Sequence, residues 1–269
     1  MPELPEVETI RRDLAKTIQG KKIKAVEIID GRVIKEPAAA EFKRRLSGVS
    51  FVEFLRRAKV LAIRLSSGEY LVVHLRMTGQ LVYACVKSPV ARVIFHLSDG
   101  TYLNFNDQRV FAELRLVKDW RELSFVQSLG IEPLEKEFSA AVFRKMLQGK
   151  KTKIKPLLMD QTFIAGIGNL YAQEALFCAG IAPQRPAQSL TSAESKRLHQ
   201  EIQNVLRAGI HYRGSSVDNY VTGDGSAGSY HLRLKVYDRK GEPCAKCHTP
   251  LQKISLGGRG TCFCPKCQK

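Results

Sequence analysis

The chain has 269 residues, enough for two domains of ~100–150 residues each, which excludes a peptide hormone or a disulfide miniprotein. Lys and Arg number 43 against 26 Asp and Glu, and the resulting +17 points to a polyanionic partner such as nucleic acid or an anionic membrane surface. Hydrophobic residues make up 44%, and no window approaches the ~20 consecutive apolar residues that a membrane-crossing helix needs. The first element is a helix. Pro5 suits its first turn, Glu6 and Glu8 complement the positive end of its dipole, Val7, Ile10 and Leu14 form one apolar stripe, and Gly20 ends it. From Lys22 to about Lys118 the pattern changes to β-branched and aromatic runs cut by turn signals such as Ser66-Ser67-Gly68 and Ser98-Asp99-Gly100. Such runs without intervening helices predict antiparallel hairpins closed into a sandwich or a partly open barrel.

Pro133 and its charged neighbours suit a linker, after which Ala140–Gln148, Pro156–Asp160, Leu170–Phe177 and Ser192–Tyr212 have helical spacing or composition. The segment 214–229, rich in Gly, Ser and Asp, carries too few apolar residues to hold a fixed loop without a ligand. Alternation returns over Leu232–Tyr237, and a small β-hairpin is expected at the C-terminus. The expected class is therefore α+β multidomain. Residues 1–131 form an N-terminal antiparallel β-sandwich with flanking helices, 132–139 a linker, 140–231 a helical module ending in the glycine-rich loop, and 232–269 a separate C-terminal hairpin unit.

Four of the seven cysteines fall near the C-terminus as Cys244-x-x-Cys247 and Cys264-x-x-Cys267. Two knuckles contributing two thiolates each can close a tetrahedron around one Zn²⁺, and four protein ligands leave no open position for water, so the ion is structural. Cys262 is a rival ligand by proximity alone. The start of the chain, Met1-Pro2-Glu3-Leu4-Pro5-Glu6, lacks the basic and apolar regions of a signal peptide, which places the expected location in the cytoplasm with reduced thiols.

Chemistry has to lie away from a closed zinc site. If Met1 is removed, Pro2 becomes a terminal secondary amine, and an α-amino group titrates near ~8, so a useful fraction is free to attack carbon. Glu3 lies one residue away as a general acid or relay, and Glu6 on the first helical turn can position the terminus. A proline-rich start and a helix-start acid are also ordinary, so these six residues leave both readings open. Arg56, Arg57 and Lys59 precede a strand, Lys150, Lys151, Lys153 and Lys155 precede a helix, and Arg259 stands in a Gly-rich turn of the zinc hairpin. Beside the net charge they read as backbone binders, with solvated charge as the alternative. Gly166-Ile167-Gly168-Asn169 opens onto Leu170-Tyr171 and offers backbone N–H groups to a phosphate. Met77 and, after Asp107-Gln108, Arg109 and Phe111 stand where strands end in turns. They are side chains that can fill a base stack once a nucleotide has left it, although Met and Phe are otherwise core residues.

Taken together, Pro2-Glu3-Leu4-Pro5-Glu6-Val7-Glu8-Thr9, Arg56-Arg57-Ala58-Lys59, His74-Leu75-Arg76-Met77-Thr78-Gly79, Lys155-Pro156-Leu157-Leu158-Met159-Asp160, Gly166-Ile167-Gly168-Asn169-Leu170-Tyr171 and Arg259-Gly260-Thr261 ahead of Cys264 resemble the bacterial formamidopyrimidine-DNA glycosylase family. The resemblance covers essentially the whole chain. It implies a β-sandwich bearing the catalytic terminus, a helix–two-turn–helix module and a zinc finger. It also implies a monomeric bifunctional glycosylase and abasic-site lyase that acts in base-excision repair on double-stranded DNA containing damaged bases or abasic sites. Pro2 would attack C1′, Glu3 would donate a proton, and the Schiff base would permit β- and then δ-elimination, with Lys59 and Arg259 at the positions assigned to those steps. A guanidinium is a poor acid, so phosphate clamping suits Arg259 better. Met77, Arg109 and Phe111 would fill the gap, His74, Lys155, Asn169 and Tyr171 would grip or position the DNA backbone, with Lys150 beside them on its charge alone, and 214–229 would cap the lesion.

Two local patterns depart from the family. Val110 and Ala112 flank Phe111, and Ser88-Pro89-Val90-Ala91-Arg92 replaces a histidine-bearing stretch, leaving a phosphate contact to be lost or taken over by Arg92. Two rival readings share most of these residues: an enzyme of the same chemistry taking oxidised pyrimidines, and a noncatalytic zinc protein that recognises damaged duplex. Leu4 and the long glycine-rich loop favour oxidised purines over the first, and only the second forms no covalent product.

Overall fold

The computed structural model describes residues 1–269. Contacts group 1–127 with 210–231 in one compact unit, and 128–209 with 232–269 in another. The glycine-rich segment therefore belongs with the N-terminal sheets.

In the first unit, α1 (Leu4–Ile18) is followed by β1 (Ile23–Ile28), β2 (Ile34–Glu36), α2 (Ala39–Leu46), β3 (Phe51–Arg57), β4 (Val60–Leu65), β5 (Tyr70–His74), β6 (Gln80–Ala84), β7 (Ala91–Leu97), β8 (Tyr102–Asn106), β9 (Glu113–Val117) and the single-turn α3 (Ser124–Gln127). The strands form two sheets, β1-β7-β8-β6 and β2-β9-β5-β4-β3, antiparallel throughout except for the short β2–β9 pair. Alternating side chains of both sheets, among them Phe51, Ile63, Val73, Phe95, Phe105 and Leu114, meet in one buried core. Each such side chain contributes ~1.5–3 kcal/mol by leaving water. Helix α1 packs on β3 and β6, an edge strand of each sheet, and inserts Val7, Ile10, Leu14 and Ile18 into that core. The packing fixes the direction in which the first residues run.

Helix α2 corrects the expectation of strands without an intervening helix. It is eight residues long and anchored by only Phe42 and Leu46, too few apolar positions to show helical periodicity. The signals it did leave are the Ala38-Ala39-Ala40 run and the i,i+4 pair Glu41–Arg45, at 2.9 Å.

The second unit holds α4 (Ala140–Leu147), α5 (Ile154–Met159), α6 (Asn169–Ala179) and most of α7 (Ser192–His211), then the hairpin β10 (Gln252–Leu256) and β11 (Arg259–Phe263). All four expected helices are present, as is the C-terminal hairpin. Residues 232–237 are not a strand. A 3₁₀ turn covers Tyr230–Arg233, and the backbone N–H groups of Lys235, Val236 and Tyr237 donate to the buried carboxylate of Glu174, at 2.9, 3.0 and 2.9 Å. A side chain replaces the ladder that alternation suggested. Hairpin strand β11 packs against α6, where Cys262 N–H donates to Gln173 at 2.6 Å.

Candidate active site

Helix α1 begins at Glu3 with a reciprocal capping box, in which the Glu3 N–H donates to Glu6 Oε2 at 2.8 Å. Pro2, Glu3 and Glu6 are all buried, so the chain's start is pinned in place instead of fraying. The second Glu6 oxygen accepts the Ser215 N–H at 3.0 Å, which ties the foot of the glycine-rich loop to the same carboxylate. Lys59, in the turn between β3 and β4, is also buried and lies in the field of Glu3 and Glu6. Burial pushes its ammonium below the ordinary lysine range while the two carboxylates oppose the shift. Its turn is held by Ala58 in the left-handed region, at φ 53°, whose carbonyl accepts from Arg56 at 3.0 Å. Arg56 reaches Glu8 at 3.1 Å. Burial works against the charge on Glu8, but hydrogen bonds from Arg11 and Arg12, with Arg56 nearby, hold it at about 2.

His74 ends β5 directly across from Val60, the neighbour of Lys59. Its Nδ1 accepts the Arg76 N–H at 3.1 Å, and burial, with Arg76 adding to it, pushes the imidazole down to about 4. The ring is therefore neutral at physiological pH, with Nε2 as its remaining donor.

Met77 and Phe111 line a cavity of about 440 Å³ together with Met1, Lys35, Arg76 and Val110. Phe111 is 52% exposed, far from the core placement usual for Phe, and Arg109 lies over its ring at 4.7 Å. Sequence reasoning missed the residue that builds this projection. Asp107 is fully buried; its carboxylate accepts the Ala112 N–H at 2.7 Å, the Arg109 N–H at 3.2 Å and the Thr78 hydroxyl. An Asp opening a turn, with N–H groups two residues on, was the available signal. Val110 sits at φ 56°, a strained position for a β-branched side chain. Ala112 is small for a reason. The Cβ that any other residue would add at Gly79 lies 2.7 Å from the Ala112 Cβ and 2.5 Å from the Leu75 carbonyl, so the two loops touch at backbone range. Arg92 donates to the Asp107 carbonyl at 2.7 Å, which makes it a brace for this loop.

In the second unit, Lys155 is completely buried, and its ammonium donates to Asn169 at 2.6 Å and to Thr261 Oγ1 at 2.8 Å. Arg259 is exposed at the start of β11, and its carbonyl accepts from the same Thr261 hydroxyl at 3.1 Å. Lys155, Asn169 and the turn bearing Arg259 thus converge. Tyr171, two residues further along α6 than Asn169, is buried, and its hydroxyl lies only 2.4 Å from where a Cβ at Gly209 would stand. Lys150 is exposed in the turn after α4, 5.9 Å above the Phe163 ring, outside that cluster.

Cys244, Cys247, Cys264 and Cys267 bring their Sγ atoms within 4.8 Å of one another. Cys247–Cys264 is 3.5 Å and Cys244–Cys267 3.9 Å, close to the ~3.8 Å that a tetrahedron with ~2.3 Å Zn–S bonds requires. N–H groups of Lys246 and Cys267 point at the sulfurs of Cys244 and Cys264, at 3.4 Å each, and would stabilise thiolates. The donor set fits one structural zinc ion. Cys262 is not part of it; it lies in the adjacent apolar cluster.

Comparison with known proteins accounts for nearly all of the chain. Residues 1–114 match the formamidopyrimidine-DNA glycosylase N-terminal domain, 129–221 the formamidopyrimidine-DNA glycosylase H2TH domain, and 241–269 the zinc finger found in FPG and IleRS. The formamidopyrimidine-DNA glycosylase of Pelotomaculum thermopropionicum is 46% identical over 100% of this chain and 99% of its own length, and that of Desulforamulus reducens is 44% identical over 100% and 99%. Among solved structures, the MutM (FPG) protein from Thermus thermophilus superposes with a TM-score of 0.89 at 38% identity, over 99% of this chain and 98% of that one. A Lactococcus lactis FPG mutant in complex with Fapy-dG containing DNA superposes with a TM-score of 0.93 at 35% identity, over 100% of both chains. On identity over full length, the chain belongs to the formamidopyrimidine-DNA glycosylase family.

Proposed function

We propose that this protein excises oxidised purines such as 8-oxoguanine and formamidopyrimidines from duplex DNA and then cleaves the strand at the resulting abasic site, with the Pro2 nitrogen as nucleophile. The observation that supports the residue assignments most is the gathering of Glu3, Glu6 and Lys59 at the chain's start, beside a cavity that Met1 itself lines. Once Met1 is removed, the Pro2 lone pair attacks C1′, the C1′–N bond breaks, and Glu3 supplies the proton that neutralises the departing base. The sugar ring then opens at C1′–O4′, with O4′ taking up the proton that the Pro2 nitrogen gives up, to leave an iminium at C1′; the iminium acidifies the C2′ proton, whose loss expels the 3′ phosphate, and a second elimination expels the 5′ phosphate. Lys59, its proton loosened by burial, serves the first elimination, and Glu6 positions the terminus.

Met77, Phe111 and Arg109 are the side chains that fill the vacated stack, where the stacking of Arg109 on Phe111 stiffens the wedge. His74 offers a neutral N–H to a phosphate. Lys155, Asn169 and Arg259 hold the backbone of the DNA, Lys150 adds charge, and the buried Tyr171 positions them by fixing α6. The zinc ion, held by the four cysteines, fixes the hairpin that presents Arg259 and takes no part in bond making. Segment 214–229 is the cap over the extruded base. The cytoplasm is the matching location: no helix is long and apolar enough to cross a membrane, and the relatives are bacterial.

Single-turnover assays on duplexes bearing 8-oxoguanine or thymine glycol test the substrate assignment. Faster release of 8-oxoguanine is expected, and faster release of thymine glycol would move the protein to oxidised pyrimidines.

A further inference from the structure

Besides Glu6 and Glu8, helix α1 carries a third buried carboxylate, Asp13, that the chemistry above does not use. Asp13 is 7% exposed and lies two helical turns beyond Glu6, on the same face. It receives a forked pair from Arg213, at 3.1 Å to each oxygen, and the Gly223 N–H at 3.0 Å. Arg213 also reaches Asp224 at 2.9 Å. Both limbs of the glycine-rich loop are therefore tied to one side chain. Arg213 adopts φ 59° to make the fork, and a Cβ at position 223 would stand 2.8 Å from the Asp13 Cβ, so Gly223 is the residue that lets the far limb approach. Edge strand β6 completes the seat, with the Tyr83 N–H donating to the Gly223 carbonyl at 2.8 Å. The near limb continues to Ser215, whose N–H is held by Glu6, the carboxylate that also holds the Glu3 N–H.

We propose that Asp13 is a positioning residue for base excision: through Arg213 and Gly223 it seats the loop in register with Glu6 and the catalytic terminus. A rigid helix sets the spacing between Glu6 and Asp13, so the loop and the nucleophile are aligned by one element. The inference rests on the reading of 214–229 as the cap over an extruded base. An abasic sugar has no base to cap, so the seat matters for excision and not for strand cleavage at a preformed abasic site.

The test uses the full-length, zinc-loaded protein. Single-turnover release of 8-oxoguanine is compared with cleavage of an abasic duplex for wild type, Asp13→Asn and Arg213→Lys, alongside amide exchange at Ser215 and Gly223. Losing a charge-assisted fork should slow excision about tenfold or more, leave abasic cleavage within about twofold, and speed exchange at Gly223. Arg213→Lys keeps the charge without the fork and gives the same pattern if Asp13→Asn does not fold. Equal losses on both substrates would mean that Asp13 only supports the fold, and unchanged excision would mean that the loop needs no seat; either overturns the proposal. Wild-type protein that fails to cleave or trap abasic DNA would instead defeat the functional reading.

Discussion

Glu3 and His74 show how burial assigns roles to single residues. Glu3 is 4% exposed and begins a helix whose capping box fixes its backbone, so its carboxyl works from one geometry. Glu3→Gln keeps shape and loses the proton; excision of 8-oxoguanine is expected to fall by ~10²–10⁴ with duplex affinity unchanged in a filter-binding assay. For His74, the folded imidazole titrates at about 4 and the unfolded one near ~6.5, so between these values the unfolded chain binds a proton that the folded chain refuses. Stability therefore rises with pH across that window. Thermal melts of His74→Asn should lack this part of the slope, and an identical slope in the variant would place the imidazole in water. The residue types at both sites were legible in the sequence. For Asp107 the sequence shows an acid opening a turn, but not that its carboxylate is buried and also takes the hydroxyl of Thr78 from another loop. Arg92, a candidate phosphate ligand by position, also braces that loop through the Asp107 carbonyl.

At the scale of elements, the long periodic helices and the zinc hairpin could be read directly, because they repeat their apolar positions or carry paired cysteines. Helix α2 and the Glu174-capped stretch 235–237 could not, since one has two anchors and the other has its N–H groups satisfied by a distant side chain. The β5–β6 turn and the turn before β9 form one wedge through the contact of Gly79 with Ala112. Gly79→Ala is expected to cost ~1–3 kcal/mol in denaturant unfolding and to weaken lesion binding, as a displaced wedge would. The zinc hairpin is a separate element with the same logic. Cys247→Ser should lose the metal, loosen β10–β11 and weaken DNA binding by misplacing Arg259; full zinc content with unchanged affinity would contradict this.

Across the whole molecule, the +17 charge and the release of counterions from contacted phosphates set the dependence on salt. Affinity for undamaged duplex should fall steeply between about 50 and 200 mM salt, with a log–log slope of ~0.9 per phosphate neutralised. Arg259→Ala should lower that slope by about one, whereas His74→Asn should leave it unchanged, because a neutral imidazole displaces no counterion. The proposed reaction is covalent, with the Pro2 nitrogen bonding to the sugar of damaged DNA. Borohydride reduction of the imine, applied to protein shown by mass spectrometry to lack Met1 and to carry zinc, measures it directly. A stable protein–DNA cross-link on an 8-oxoguanine or abasic duplex is predicted, with none when Met1 is retained. Absence of the cross-link from the mature protein on both duplexes, or an equal yield with Met1 still attached, would contradict the account.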